Sequence, residues 1–162
     1  MKHGDLLVVV VDGQGGGMGR GLVEAVKKKW PSLHVRALGT NSLATAAMLR
    51  AGADDGATGE NAVAFNARRA DILLGPIGVL TPNGLLGEVS PRMAEAIGGV
   101  DFEVPVNMNY DDPTQDLHIH ISKGMQHLDG EGVMKVLRFR DGNNNTGYVN
   151  GDIGRIETQQ KL

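Results

Sequence analysis

The feature that most constrains this chain is an unbroken run of apolar residues, Leu6–Val11, that gives way at once to DGQGGGMG over Asp12–Gly19. A run that is apolar at every position, rather than at alternate ones, is the pattern of a strand covered on both faces of a parallel sheet. Met18, Leu22, Val26 and Trp30 then recur every fourth residue, the stripe of a helix that Pro31 stops. Residues 5–29 therefore read as strand, glycine-rich turn and helix. Residues without Cβ let the backbone turn sharply and come close to a ligand, and free N–H groups at the helix start face it. That arrangement suits a phosphate group.

The same alternation continues. Leu33–Leu38 reads as a second strand, and Ser42 as the cap of a helix with Leu43, Ala47, Met48 and Ala51 on its apolar stripe. Residues 59–69 read as a helix, Asp71–Gly75 as a third strand closed by Pro76, and Ser90-Pro91 as the start of a helix ending at Gly98-Gly99. The fold class is α/β: a Rossmann-like, mostly parallel sheet with helices on both faces. Behind it, Val100, Phe102, Val104 and Val106 share one face of a strand placed to extend the front sheet. Leu117–Ile121 alternates, Asp129 caps a helix to about Leu137, and Asp152 starts another after a loop over 142–151. This small β/α segment, residues 98–162, follows a front domain of residues 1–97. Charge marks the seam: residues 1–97 hold ten Lys/Arg and nine Asp/Glu, residues 98–162 six and ten.

Composition removes several classes. A net charge of −3 gives no general attraction to nucleic acid or anionic membrane. The absence of cysteine excludes disulfides, thiolate metal sites and a cysteine nucleophile. The Leu6–Val11 run is far short of the ~20 residues of a membrane span, and no signal-peptide layout opens the chain, so a cytoplasmic protein is expected. His118, His120 and His127 read as structural, with no carboxylate or cysteine placed to complete a metal site. Asp54-Asp55-Gly56 and Asp111-Asp112-Pro113 read as turns, and no serine sits in a nucleophile elbow. No catalytic residue and no metal ligand is assigned.

The candidate binding residues are Asp12, Gly13, Gly15, Gly16, Gly17, Met18 and Gly19 in the turn, with Thr40 and Asn41 after the second strand. Gly13, Gly17 and Gly19 fit G-x-x-x-G-x-G, a spacing of short-chain dehydrogenase-like Rossmann proteins. The acid that should end the second strand and hold a ribose hydroxyl is missing, since Gly39-Thr40-Asn41 stands there. No strong preference between NAD and NADP is therefore expected, and the bound dinucleotide or other phosphate-bearing ligand is left open, as is the oligomeric state.

Three long motifs then appear in order: DGQGGGMG, ALGTNSLATAAMLRAGADDGATGENAVAFNARRADILLGPIGVL and LLGEVSPRMAEAIG. Through them residues 5–97 resemble the bacterial family called domain of unknown function 3842. The resemblance implies a Rossmann-like fold and no established activity. That family continues into further strands that the rear of this chain does not follow.

The rear has its own motifs: G-x-x-x-L-D-G at Gly124–Gly130, R-x-R at Arg138 and Arg140, and G-D-x-x-R-x-x-x-Q-Q at Gly151–Gln160. Residues 98–162 thereby resemble the rear of LytR–CpsA–Psr proteins, which transfer glycopolymers from a polyprenyl pyrophosphate carrier to peptidoglycan. The resemblance implies that Arg138, Arg140 and Arg155 grip the pyrophosphate with Gln159 nearby. Guanidinium groups suit bidentate phosphate contacts, and Arg138 and Arg140 point the same way if their segment is extended. The metal-holding acids and membrane anchor of that family have no counterpart here, so binding without efficient transfer is expected. Together these readings give a small nucleotide- or phosphometabolite-binding protein joined to an incomplete pyrophosphate-binding segment. The alternative is a glycopolymer phosphotransferase of cell-wall biogenesis.

Overall fold

The computed structural model describes residues 6–139 together with Ile156. The chain divides into two compact units, Met1–Gly98 and Gly99–Leu162. The front unit is an α/β layer structure. Its four strands, β1 (Leu7–Asp12), β2 (His34–Gly39), β3 (Asp55–Thr58) and β4 (Ile72–Leu74), form one parallel sheet in the order β3-β2-β1-β4.

The apolar run explains the layers. Side chains alternate across a strand, so Val8 and Val10 enter one core and Val9 and Val11 the other. The first core packs them against Val23 and Val26 of α1 (Gly17–Lys29) and Met48 of α2 (Ser42–Arg50). The second packs them against Val63 of α3 (Glu60–Ala67) and Met93 and Ala94 of α4 (Pro91–Ile97). Helices thus cover both faces, and all four valines are 2% exposed or less.

Several local expectations needed revision. In α1 the buried residues are Gly19, Val23 and Val26, while Met18 and Trp30 are 59% and 42% exposed. Gly19 has to face inward because Asp12 and Met48 close over it, and the 100° step of the helix then turns Met18 outward. The cap of α2 is Asn41 rather than Ser42: its Oδ1 accepts the Ala44 N–H at 2.9 Å. Leu43 is accordingly 61% exposed, and Ala44, Thr45, Ala47 and Met48 are buried. At α4 the Ser90 hydroxyl accepts the Met93 N–H with Pro91 in the first turn, as the sequence predicts.

Asp55-Gly56 is strand, not turn. Gly56 runs so close to β2 that a Cβ there would sit 2.9 Å from the Ala37 carbonyl oxygen. The flanking acids pin this edge: Asp54 is bound by Lys27 at 2.7 Å and accepts the Val35 N–H, and Asp55 takes both Nε and Nη2 of Arg36 at 2.6 and 2.7 Å. Charged side chains on an edge strand also oppose further pairing.

The rear unit holds two antiparallel two-stranded sheets and a helix. β5 (Val100–Val104) pairs with β8 (Gly124–Leu128), and β6 (Met108–Asp112) with β7 (Leu117–Ile121). β5 therefore does not extend the front sheet; with β8 it forms a separate two-stranded antiparallel sheet. Asp111 and Asp112 both belong to β6, and the turn begins after them, where the Asp112 carboxylate accepts the Thr114 N–H. Helix α5 (Gly130–Arg138) is capped by Asp129, whose Oδ1 accepts the Gly132 N–H at 2.8 Å.

Candidate functional site at the glycine-rich turn

The turn leaves the carboxyl end of β1, the edge where ligands bind in open α/β sheets. Asp12, 5% exposed, organises it from below: Oδ1 accepts the Gly13 N–H at 2.8 Å and Oδ2 the Gly19 N–H at 2.6 Å. One carboxylate thereby ties the strand end to the first turn of α1 and satisfies one of that helix's orphan donors. The Gly16 N–H donates to the Gly13 carbonyl at 2.9 Å, and Gly16 itself is left-handed at φ 69°.

The glycines do different work. A Cβ on Gly13 would lie 2.7 Å from Glu88 Oε2 and Thr40 Oγ1, and one on Gly16 would lie 2.7 Å from the α2 backbone at Ala44. On Gly19 it would lie 2.6 Å from Met48 Sδ and 2.7 Å from Asp12 Cβ. These three are glycine because the fold closes on them. Gly15 and Gly17 are exposed, and a Cβ on either would meet open space. Among the described residues the N–H groups of Gly15, Gly17 and Met18 have no acceptor, so the outer lip of the turn keeps three free donors.

Thr40 and Asn41 lie beside this lip but are already engaged. The Thr40 N–H donates to the Asp12 carbonyl at 3.0 Å. Besides capping α2, Asn41 donates from Nδ2 to the Gln14 carbonyl at 3.0 Å and to Glu88 Oε2 at 2.9 Å.

Glu88 is the residue that sequence reasoning missed. From the loop before α4 its Oε2 accepts the Gln14 N–H at 2.8 Å, the Thr40 hydroxyl in a short hydrogen bond, and the Asn41 amide. An acid thus does stand at the end of β2, supplied from 47 positions beyond Asn41. The Thr40 hydroxyl first, then the Gln14 N–H and Asn41, hold its carboxyl below the usual range. Oε1 accepts from none of the described residues. No local pattern marks Glu88; only its place within LLGEVSPRMAEAIG distinguished it.

In the rear unit, Arg138 is the last residue of α5, helical rather than extended. Its Nη2 donates to Gln115 Oε1 at 3.3 Å, and it borders a cleft of about 440 Å³ with Lys135, His118 and Asp116. Arg140, Arg155 and Gln159 lie outside the described residues. Strand pairing supplies the carboxylates thought absent beside the histidines: Asp111 stands opposite His118, and Asp101 opposite His127. Among the described residues, no helix is long and apolar enough to cross a membrane.

Comparison with known proteins agrees with both resemblances. The LytR–CpsA–Psr family matches residues 91–162, which include β5 to β8 and α5. No curated protein and no solved structure matches the chain. The family described as a domain of unknown function (DUF3842) matches residues 7–104, which run from β1 through β5. That is more than half of the chain, and the protein belongs to this family.

Proposed function

We propose that the front unit binds a phosphate-bearing small molecule, a nucleotide best of all, at the outer lip of the glycine turn. The observation that carries this reading is the sorting of the glycines. Gly13, Gly16 and Gly19 are needed by packing, whereas Gly15 and Gly17 sit in open space next to three free N–H donors. Close backbone approach by a ligand is a reason for those two to lack a side chain. Glu88 refines the ligand. Its free Oε1, at the end of β2, is placed to accept from a ribose hydroxyl and to repel a 2′-phosphate. The reading therefore favours NAD-like over NADP-like ligands, a preference that Thr40 and Asn41 alone do not supply.

The test is a thermal-shift panel of dinucleotides, mononucleotides and sugar phosphates on the wild type and on Gly17→Val. A real ligand at a hundredfold excess over its Kd stabilises by about 2.7 kcal/mol. Gly17→Val should keep the fold and lose that shift. An unchanged shift would remove the glycine turn from the binding site.

A second reading rests on the match over 91–162: the rear unit holds a polyprenyl pyrophosphate through Arg138, Arg140, Arg155 and Gln159. Arg138, at a cleft it shares with Lys135, is the described residue that favours it. Cell-wall glycopolymer transfer by this chain is the activity that such binding would serve.

A further inference from the structure

We propose that Asp111, His118 and His120 bind one divalent transition-metal ion, zinc best matching the set, on the exposed face of the β6–β7 hairpin. The pairing register builds this site. Asp111 stands opposite His118 and Asn109 opposite His120, and residues two apart on a strand share a face. One ligand atom from each of the three residues lies within 4.8 Å of the others.

Asp111 Oδ1 is 2.6 Å from His118 Nδ1 and 3.2 Å from His120 Nε2. Two donors bound to tetrahedral zinc at about 2.0–2.1 Å stand about 3.3 Å apart. Small side-chain rotations therefore admit the ion without moving the backbone.

One outer contact of the kind metal-bound imidazoles use is in place: His120 Nδ1 faces Asn109 Oδ1 at 3.3 Å. His118 Nε2 has only the exposed Asp116 carboxylate nearby, at an ion-pair distance of 3.6 Å. An oxygen acceptor on the far nitrogen keeps the proton there and turns the near lone pair inward. Without an ion, two imidazoles compete for one carboxylate oxygen; with one, the three lone pairs share a cation. Two imidazoles and a carboxylate suit zinc, nickel or copper better than magnesium or calcium. Side chains 51–58% exposed leave the fourth position to water or a ligand oxygen. His127 is the natural control: among the described residues its ring nitrogen has one carboxylate partner, Asp101 at 2.8 Å.

The experiment titrates the full chain with Zn²⁺ by calorimetry near neutral pH, and with Co²⁺ by visible absorption. One ion per chain is expected, with His118→Gln, His120→Gln and Asp111→Asn each weakening binding by at least the ~10–100-fold that losing an outer partner alone costs. His127→Gln should bind as the wild type does, and Asn109→Ala should bind more weakly at unchanged stoichiometry. Circular dichroism of the metal-free variants should match the wild type, since every altered side chain is exposed; should one variant misfold, the remaining ones decide. No saturable binding below about 1 mM would overturn the site. So would binding that survives loss of both His118 and His120.

Discussion

Gly17→Ala and Gly19→Ala lie two residues apart in one glycine motif, yet they should move stability in opposite directions. A Cβ on Gly19 would meet Met48 Sδ at 2.6 Å and Asp12 Cβ at 2.7 Å. The thioether can move aside, because methionine is adaptable. Asp12 cannot do so without releasing the Gly13 and Gly19 N–H groups that it holds. Overpacking costs about 1–3 kcal/mol, and a hydrogen bond to a charged group contributes about 1.5–3 kcal/mol. Alanine recovers up to about 1 kcal/mol of helix propensity. The net loss for Gly19→Ala should be about 2–4 kcal/mol. For Gly17→Ala the new methyl meets nothing, so the propensity gain stands alone and stability should stay level or rise by up to about 1 kcal/mol. The chain's single tryptophan, Trp30, ends α1, so its fluorescence in urea follows the front unit selectively. If Gly19→Ala falls within 0.5 kcal/mol of the wild type by roughly the usual surface-substitution standard, or Gly17→Ala loses as much as Gly19→Ala, the sorting of the glycines is wrong.

Further outcomes follow from the same contacts. Glu88 has a lowered pKa, so its stabilising contribution is complete above its ordinary value of 4.5 and is lost as pH falls through the lower folded value. Glu88→Gln should therefore flatten the acid limb of the Trp30-monitored stability profile, and an unchanged limb would show that Glu88 is not held as described. Asn41→Ala removes the cap of α2 and one anchor of Glu88, and should cost about 1–2 kcal/mol in urea unfolding. Arg138→Ala combined with Arg155→Ala should abolish calorimetric binding of an isoprenyl pyrophosphate while leaving any nucleotide shift intact; retained binding would exclude the rear clamp. Arg36→Ala should loosen the β3 edge by about 1 kcal/mol, since the pair with Asp55 is partly exposed, and faster amide exchange at 55–58 would report it.

What the sequence determined by itself was whatever neighbouring residues settle among themselves. The unbroken apolar run of β1, the turn and helix behind it, and the caps at Ser90-Pro91 and Asp129 are all written in residues close to one another in the chain. Tertiary structure decided the rest. Asp55-Gly56 is extended only because β2 lies alongside, and β6 and β8 carry too little apolar alternation to announce themselves without their partners. The facing of α1 was settled by Asp12 and Met48 closing on Gly19, not by the stripe of larger side chains. Glu88 reaches the end of β2, and Asp111 reaches His118, through chain reversals whose register no local pattern encodes. A carboxylate marks a site by what surrounds it: for Glu88 the surroundings are assembled only when distant segments pack, and for Asp111 only when the β6–β7 hairpin pairs in its register.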